Sequence, residues 1–150
     1  MLVEFAELVP VLRDLFAAQR YAVLGTQREE RIGLNLMALA VTEDLHSLIV
    51  ATERATPKYA NLLGNPRVSL LVDNHSNQLA DTQMALALTV EGLAEEVLGP
   101  ERELLAQRFL ARHPQLESFV HSLTSAIFRI RVLRYELVRG LGDVREVLLT

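Results

Sequence analysis

The chain has 150 residues, half of them hydrophobic, with a formal net charge of −4 and no cysteine. That length predicts one domain over 1–150 with a substantial core. The acidic balance argues against a general nucleic-acid binder, and the lack of cysteine excludes disulfides, thiol catalysis and cysteine metal sites. No apolar run approaches a membrane span. The start, MLVEFAELVPVLRD, carries acids early and lacks a basic region, so no secretory signal is expected and the cytoplasm is the expected compartment.

Residues 3–18 place Phe5, Leu8, Leu12, Leu15 and Phe16 at helical spacing. Pro10 falls inside this pattern and must kink or split the helix, because proline removes an interior hydrogen bond. Arg20–Gln27 reads as a strand, Arg28–Arg31 as a charged turn and Ile32–Thr42 as a longer strand. Ser47–Thr52 is a compact apolar, β-branched strand. Pro57 stands at the first position of a short helix, where a missing N–H is tolerated. Tyr59, Leu62 and Leu63 form its apolar face, and Gly64-Asn65-Pro66 ends it. Arg67–Val72 is the next strand, and Asp73–Asp81 a polar loop.

Met84–Val97 reads as a long strand whose interior Gly92 marks a bulge or sharp bend. Pro100–His113 is helical, with Leu104, Leu105, Phe109 and Leu110 as its apolar face, and Leu116–Ser122 is a short second helix. Ala126–Arg139 alternates apolar and polar residues, the pattern of a half-buried strand. Gly140 and Gly142 bend the chain, and Val144–Leu149 forms a last short strand. About six strands not separated by long helices predict a mainly β fold, an antiparallel barrel with peripheral helices.

The stretch with chemical content is Ser47–Asn74, SLIVATERATPKYANLLGNPRVSLLVDN. Thr56 can cap the helix that Pro57 opens. The Thr56 hydroxyl, the Lys58 ammonium and free N–H groups then converge on one helix start, an arrangement suited to an anion. Lys58 is the only lysine among 15 basic residues. A lysine is a compact point charge that approaches a phosphate end-on.

Other constellations are weak. The histidines His46, His75, His113 and His121 form no HxH or HExxH spacing, so no metal site is expected. Ser118 and Ser122 lack a GxSxG context, and the glycines are scattered singly, without a dinucleotide fingerprint. Glu95-Glu96 reads as a charged strand end. Arg129, Arg131 and Arg134 read as a solvated or interface face of their strand.

The segment ATERATPKYANLLGNPRVSLLVDN resembles the central part of the pyridoxamine 5′-phosphate oxidase-like flavoproteins, the FMN-binding split barrels. The similarity continues through Ser76–Gln78, Leu88–Val97 and Arg129–Gly140, and reaches back to Tyr21–Gln27. It implies a six-stranded split barrel that dimerises, with FMN at the dimer interface. By this resemblance the turn Thr56-Pro57-Lys58 holds the FMN phosphate, and Ala51-Thr52 lines the phosphate and ribityl chain. The strand matching Asn35–Leu39, with Asn35 and Leu36, runs beside the flavin ring. The apolar strand faces at Ile32–Ala40 and Met84–Leu88 also suggest a homodimer, since they exceed what one small barrel interior can bury.

The chain departs from the oxidases at defined places. Pro57 stands where they usually carry an arginine at the phosphate; Arg54 or Arg67 could replace that charge. Val41 occupies a basic position and Val138 an aromatic one. No counterpart of their C-terminal substrate segment, with its arginine and histidine, follows Gly140. The resemblance therefore implies an FMN-dependent oxidoreductase for a different small molecule, not pyridoxamine phosphate oxidation. The alternatives are a flavin-binding or electron-transfer module without its own substrate, and a haem-handling relative using one of the four histidines as axial ligand.

Overall fold

The structure, a computed structural model, describes residues 1–149. Thr150, the last residue of the expected domain, lies outside them. Helix α1 (Phe5–Ala18) leads into strands β1 (Tyr21–Arg28) and β2 (Arg31–Ala38), a two-residue β3 (Ala40–Val41) and β4 (Ser47–Glu53). Helix α2 (Pro57–Gly64), β5 (Arg67–Asp73), a single turn α3 (Asp81–Met84) and β6 (Leu86–Glu96) follow. Helix α4 (Pro100–Arg112), a 3-10 turn (Pro114–Leu116) and α5 (Glu117–Val120) precede β7 (Ser125–Arg139) and β8 (Asp143–Leu148).

The strands form one antiparallel sheet in the order β2-β1-β5-β6-β7-β4-β3, with β8 added on β7. The two ends of that path, β2 and β3, are joined in the chain by Leu39 alone. The sheet therefore curls until its ends meet, which counts as six barrel strands once β2 and β3 are taken together. Beyond the β3–β4 pairs Ala40–Ile49 and Val41–Leu48, β2 makes no ladder with β4 among the described residues. That parting is the split.

Sequence periodicity explains most of this. β4 is buried on both sides: Leu48 and Val50 join the barrel core, while Ile49 joins a second cluster with Phe109, Val120 and Ile127 under α4 and α5. A strand covered twice reads as a continuous apolar run, which is what Ser47–Thr52 is. Gly92 sits at the register shift between β6 and β7. A Cβ there would lie 2.6 Å from the Arg131 carbonyl oxygen, so the bulge needs glycine.

Several expectations need correction. Helix α1 is neither split at Pro10 nor begun at residue 3. The Pro10 ring forfeits a bond to Ala6, but both residues are exposed and the carbonyl can take water. The interior penalty of about 3 kcal/mol is outweighed by burying Leu8, Leu12, Leu15 and Phe16, at about 1.5–3 kcal/mol per side chain. The strand expected over Ile32–Thr42 breaks at Leu39, whose N–H turns back to the Arg20 carbonyl. The polar loop closes with α3. Leu63 and Leu104 do not belong to buried faces; they are exposed, because each short helix has more apolar positions than the sheet covers. The first residues of β7, Ser125–Phe128, do not alternate; all are buried.

Candidate cofactor site

The helix start at α2 forms as its residues dictate. Thr56 has extended backbone and its Oγ1 accepts the Tyr59 N–H at 3.3 Å while donating to the Glu53 carbonyl at 2.8 Å. Pro57 contributes no N–H, and the Ala60 N–H reaches the Thr56 carbonyl. Among the described residues the Lys58 N–H has no partner, and neither do the N–H groups of Ala55 and Thr56 before it. The Thr56 hydroxyl is thus spent on the cap.

Beside this turn, where β2 and β4 part, lies a cleft of about 270 Å³. Leu36 and Ala38 of β2 form one wall, Ala51 and Thr52 of β4 the other, and Lys58 stands at its edge with Glu53. Phe109, Leu116 and Phe119 from α4 and its continuation complete an apolar side. Lys58 is half-buried and has no carboxylate within ion-pair distance among the described residues. A half-buried ammonium left unpaired in a cleft whose lining is mostly apolar, Glu53 and Thr52 apart, favours an anionic guest.

Of the residues singled out by sequence, Leu36, Ala51, Thr52 and Lys58 therefore meet around one cleft. Thr52 is buried, its Oγ1 3.4 Å from that of Thr56. Asn35 lies on β2 opposite Leu24 of β1, outside the cleft lining. Arg54 turns elsewhere: its guanidinium donates to Glu96 Oε2 at 2.6 Å and to the Leu123 carbonyl at 3.0 Å. Arg67 is exposed at the start of β5.

Glu96 is more than a charged strand end. Its other carboxylate oxygen accepts the Tyr59 hydroxyl at 2.7 Å. Burial pushes the Glu96 carboxyl up, but the bonds from Tyr59 and Arg54 outweigh it and hold the group below the usual carboxylate range. The same bond to Glu96 raises the Arg54 guanidinium further. Tyr59 also packs edge-on against Phe128, and Asn61 donates to the buried Thr26 at 3.1 Å. These contacts fix α2, and Lys58 with it, against β1, β6 and β7. Sequence reasoning missed this network and the Phe109–Phe119 wall because both depend on long-range meetings that no local spacing encodes.

The arginines of β7 are correspondingly not a free face. Arg129 pairs with Glu95 and Glu101, and Arg134 with Glu91, Glu136 and Glu146, while Arg131 stays exposed. None of the four histidines lines the cleft. His46, His75 and His121 are exposed. His113 is fully buried at the end of α4, where its Nε2 donates to the Leu39 carbonyl at 2.8 Å and its Nδ1 has no partner among the described residues. Among the described residues no His, Asp and Glu cluster could hold a metal ion.

The model of the family described as pyridoxamine 5′-phosphate oxidase matches residues 8–139. The chain belongs to this family. No functionally curated protein matches it. Solved structures share the fold. The haem-binding protein from Mycobacterium smegmatis is 18% identical with a TM-score of 0.78, over 89% of this chain and 55% of the other. HutZ, the haem storage protein from Vibrio cholerae, is 18% identical at 0.69, over 91% and 99%. A FAD-binding protein from Mesorhizobium loti is 17% identical at 0.68, over 86% and 90%. This member of the pyridoxamine 5′-phosphate oxidase family thus spans about half of the M. smegmatis protein. No helix among its described residues is long and apolar enough to cross a membrane.

Proposed function

We propose that this chain is an FMN-binding flavoprotein, an oxidoreductase for a small molecule other than pyridoxamine phosphate. The observation that carries this reading is Lys58, a half-buried ammonium, unpaired among the described residues, on a cleft that opens where the barrel splits. The residues fit the phosphate end of the cofactor. The Lys58 ammonium and its unpartnered N–H supply a charge and a donor at the positive end of α2. Thr56 shapes the turn, and Thr52 and Ala51 flank it. Arg54, neutralised by Glu96, holds the turn from behind and gives the cleft neither a contact nor a free charge.

When bound, the flavin supplies the redox chemistry, taking up or releasing a hydride or single electrons. The chain's own part is to hold and shield it. Phe109, Leu116 and Phe119 keep water from the apolar side of the cleft, and Leu36 and Ala38 offer apolar surface to a planar ring. Among the described residues the titratable side chains on the cleft are Glu53 and Lys58 alone. Catalysis by orientation and exclusion of water agrees with that lining.

A cleft of about 270 Å³ is small for a whole flavin. Ile32, Leu34 and Leu36 stand exposed in a row on the outer face of β2 beside it. Opposite Leu36 comes Val23 of β1, which in turn faces the exposed Leu71 of β5. We infer that a second copy of the chain covers this apolar face and finishes the site. The family's fold supports the inference.

Haem is the competing ligand, favoured by the two haem proteins that share the fold. The two readings separate in a parallel titration with FMN and with haemin, read by absorption. Micromolar FMN binding with flavin fluorescence quenched, and no Soret shift with haemin, is expected. A Soret shift lost in His46→Ala, His75→Ala or His121→Ala, with no FMN binding, overturns the flavin reading. Turnover of NADH or NADPH with an acceptor then separates an enzyme from an electron-transfer module.

A further inference from the structure

A second, larger cleft of about 740 Å³ lies between α1, β3 and α4. Helix α4 stands between the two: Phe109 lines the cleft at the split, while Leu104, Arg108 and Arg112 line this one. Its volume falls in the usual range for small-molecule sites. One part of its wall is apolar, built from Phe16, Leu39, Ala40, Val41 and Leu45. The rest carries Arg13, Arg108 and Arg112, and among the described residues no carboxylate lines it.

Arg13 and Arg108 are exposed, as are other arginines without a carboxylate partner among the described residues, such as Arg28, Arg31 and Arg67; Arg112 differs in being half-buried. The half-buried arginines Arg54, Arg102, Arg129 and Arg134 each have a carboxylate partner. Arg112 is the half-buried arginine without one among the described residues. It is pinned instead to the end of α1, donating to the carbonyls of Phe16 and Ala17 at 2.7 Å and of Gln19 at 3.2 Å. Arg20 returns the contact by donating to the Arg112 carbonyl at 2.9 Å. Burial lowers the Arg112 guanidinium below its ordinary value, and Arg20 adds to this. Arg108 is anchored by Nε to the Val41 carbonyl at 2.7 Å, which leaves both terminal nitrogens free to bind among the described residues. Arg13 has no hydrogen bond or ion pair there. Two exposed arginines, Arg13 and Arg108, thus line a cleft with an apolar floor and have no carboxylate partner among the described residues.

We propose that this cleft binds a small organic carboxylate with an apolar body, its carboxylate held by Arg13 and Arg108 and its body laid along Phe16, Leu39 and Leu45. Planar guanidinium groups are suited to a carboxylate, which they can bond in pairs. The site is separate from the cofactor cleft and does not depend on the flavin reading.

The test is calorimetric titration of the full chain with decanoate and with 1-naphthoate, each against its neutral alcohol. Saturable binding of one carboxylate, at least tenfold tighter than its alcohol, is expected. Preference for decanoate assigns an aliphatic ligand and preference for naphthoate an aromatic one. Arg13→Gln and Arg108→Gln should each weaken it about tenfold, the scale of one charge-assisted bond. Ala111→Glu places a carboxylate at an exposed helical position of the cleft wall and should abolish binding with the fold intact. Lys58→Ala, at the other cleft, should leave it unchanged. No saturable binding of either carboxylate, equal binding of acid and alcohol, or binding indifferent to both arginine variants overturns the proposal. An equal loss in Lys58→Ala places the ligand at the split and overturns it too.

Discussion

The Arg54 guanidinium and the Glu96 carboxylate, 42 positions apart, meet at 2.6 Å behind the start of α2. The pair joins the turn that carries Lys58 to the end of β6, and Tyr59 bonds the same carboxylate from α2. A cofactor turn held from behind needs no strong helix propensity of its own.

Glu96→Ala should therefore act twice. It leaves Arg54 and the Tyr59 hydroxyl without their common acceptor, and it frees the turn. Arg54 keeps about a third of its side-chain exposure and can rehydrate. The stability loss should thus sit low, at about 1–2 kcal/mol. Urea unfolding measures that loss, and FMN titration should show weaker binding than the small stability change explains.

The pH dependence follows from the same carboxylate. Its pKa in the folded chain is held below the unfolded value. Its contribution is fully present above the unfolded pKa of about 4.3 and is lost as pH falls through the lower, folded value. Asp44, bonded by Thr42 and the His46 N–H, and Asp81, bonded by backbone N–H groups, shift the same way. Melting curves of wild type and Glu96→Gln should differ most above about pH 5 and converge in acid. A difference independent of pH would show that the ionised form carries none of the effect.

Much of the fold can be read from local pattern. Pro57 after Thr56 marks the helix start, the β-branched run before it marks a strand buried on both faces, and Gly92 inside a strand marks the bulge. The break at Leu39 escapes that reading, because residues 32–42 keep a strand-like composition across it. What turns the strand is barrel closure. The candidate site divides the same way. Leu36, Ala51, Thr52 and Lys58 are strand and turn positions within one segment or its partner in the resemblance. Phe109, Leu116, Phe119 and Glu96 come from elements far along the chain, and their side chains look like ordinary core or surface until the sheet curls.

Gly92→Ala tests the bulge. The added methyl would stand 2.6 Å from the Arg131 carbonyl oxygen and 2.7 Å from Ile130 Cγ2, in a fully packed part of the β6–β7 ladder. Backbone cannot yield as a flexible side chain does. A loss of about 1–3 kcal/mol is expected, the scale of overpacking. It is measured as a lower urea midpoint with an unchanged slope. Gly64→Ala, whose added Cβ meets nothing within 4 Å, should show no such loss.

The apolar row on β2 gives the oligomer test. Ile32, Leu34 and Leu36 are 70–75% exposed in one copy. A carboxylate in the middle of a buried apolar patch is costly, so Leu34→Asp should convert a dimer to monomer in sedimentation. Residue 34 is exposed in the isolated barrel, so the melting curve of the monomer should stay cooperative. If the patch also finishes the cofactor site, FMN affinity should fall with dimerisation.

Lys58→Ala is the decisive change for the cofactor proposal. It removes the unpaired ammonium at the edge of the split and leaves the cap at Thr56 in place. A charge-assisted contact is worth about 1.5–3 kcal/mol, so FMN affinity should fall roughly ten- to a hundred-fold. Riboflavin lacks the phosphate, and its weaker binding should barely change. Stability without ligand should also hold, because the ammonium has no partner in the folded chain to lose. Thr56→Ala should weaken FMN as well, but with about 1 kcal/mol of stability lost with the helix cap. Parallel titrations of the three proteins with both flavins separate these effects. Equal losses for FMN and riboflavin in Lys58→Ala would show that the lysine does not read the phosphate. No loss for either would leave Lys58 as a surface charge at the rim of an apolar cleft.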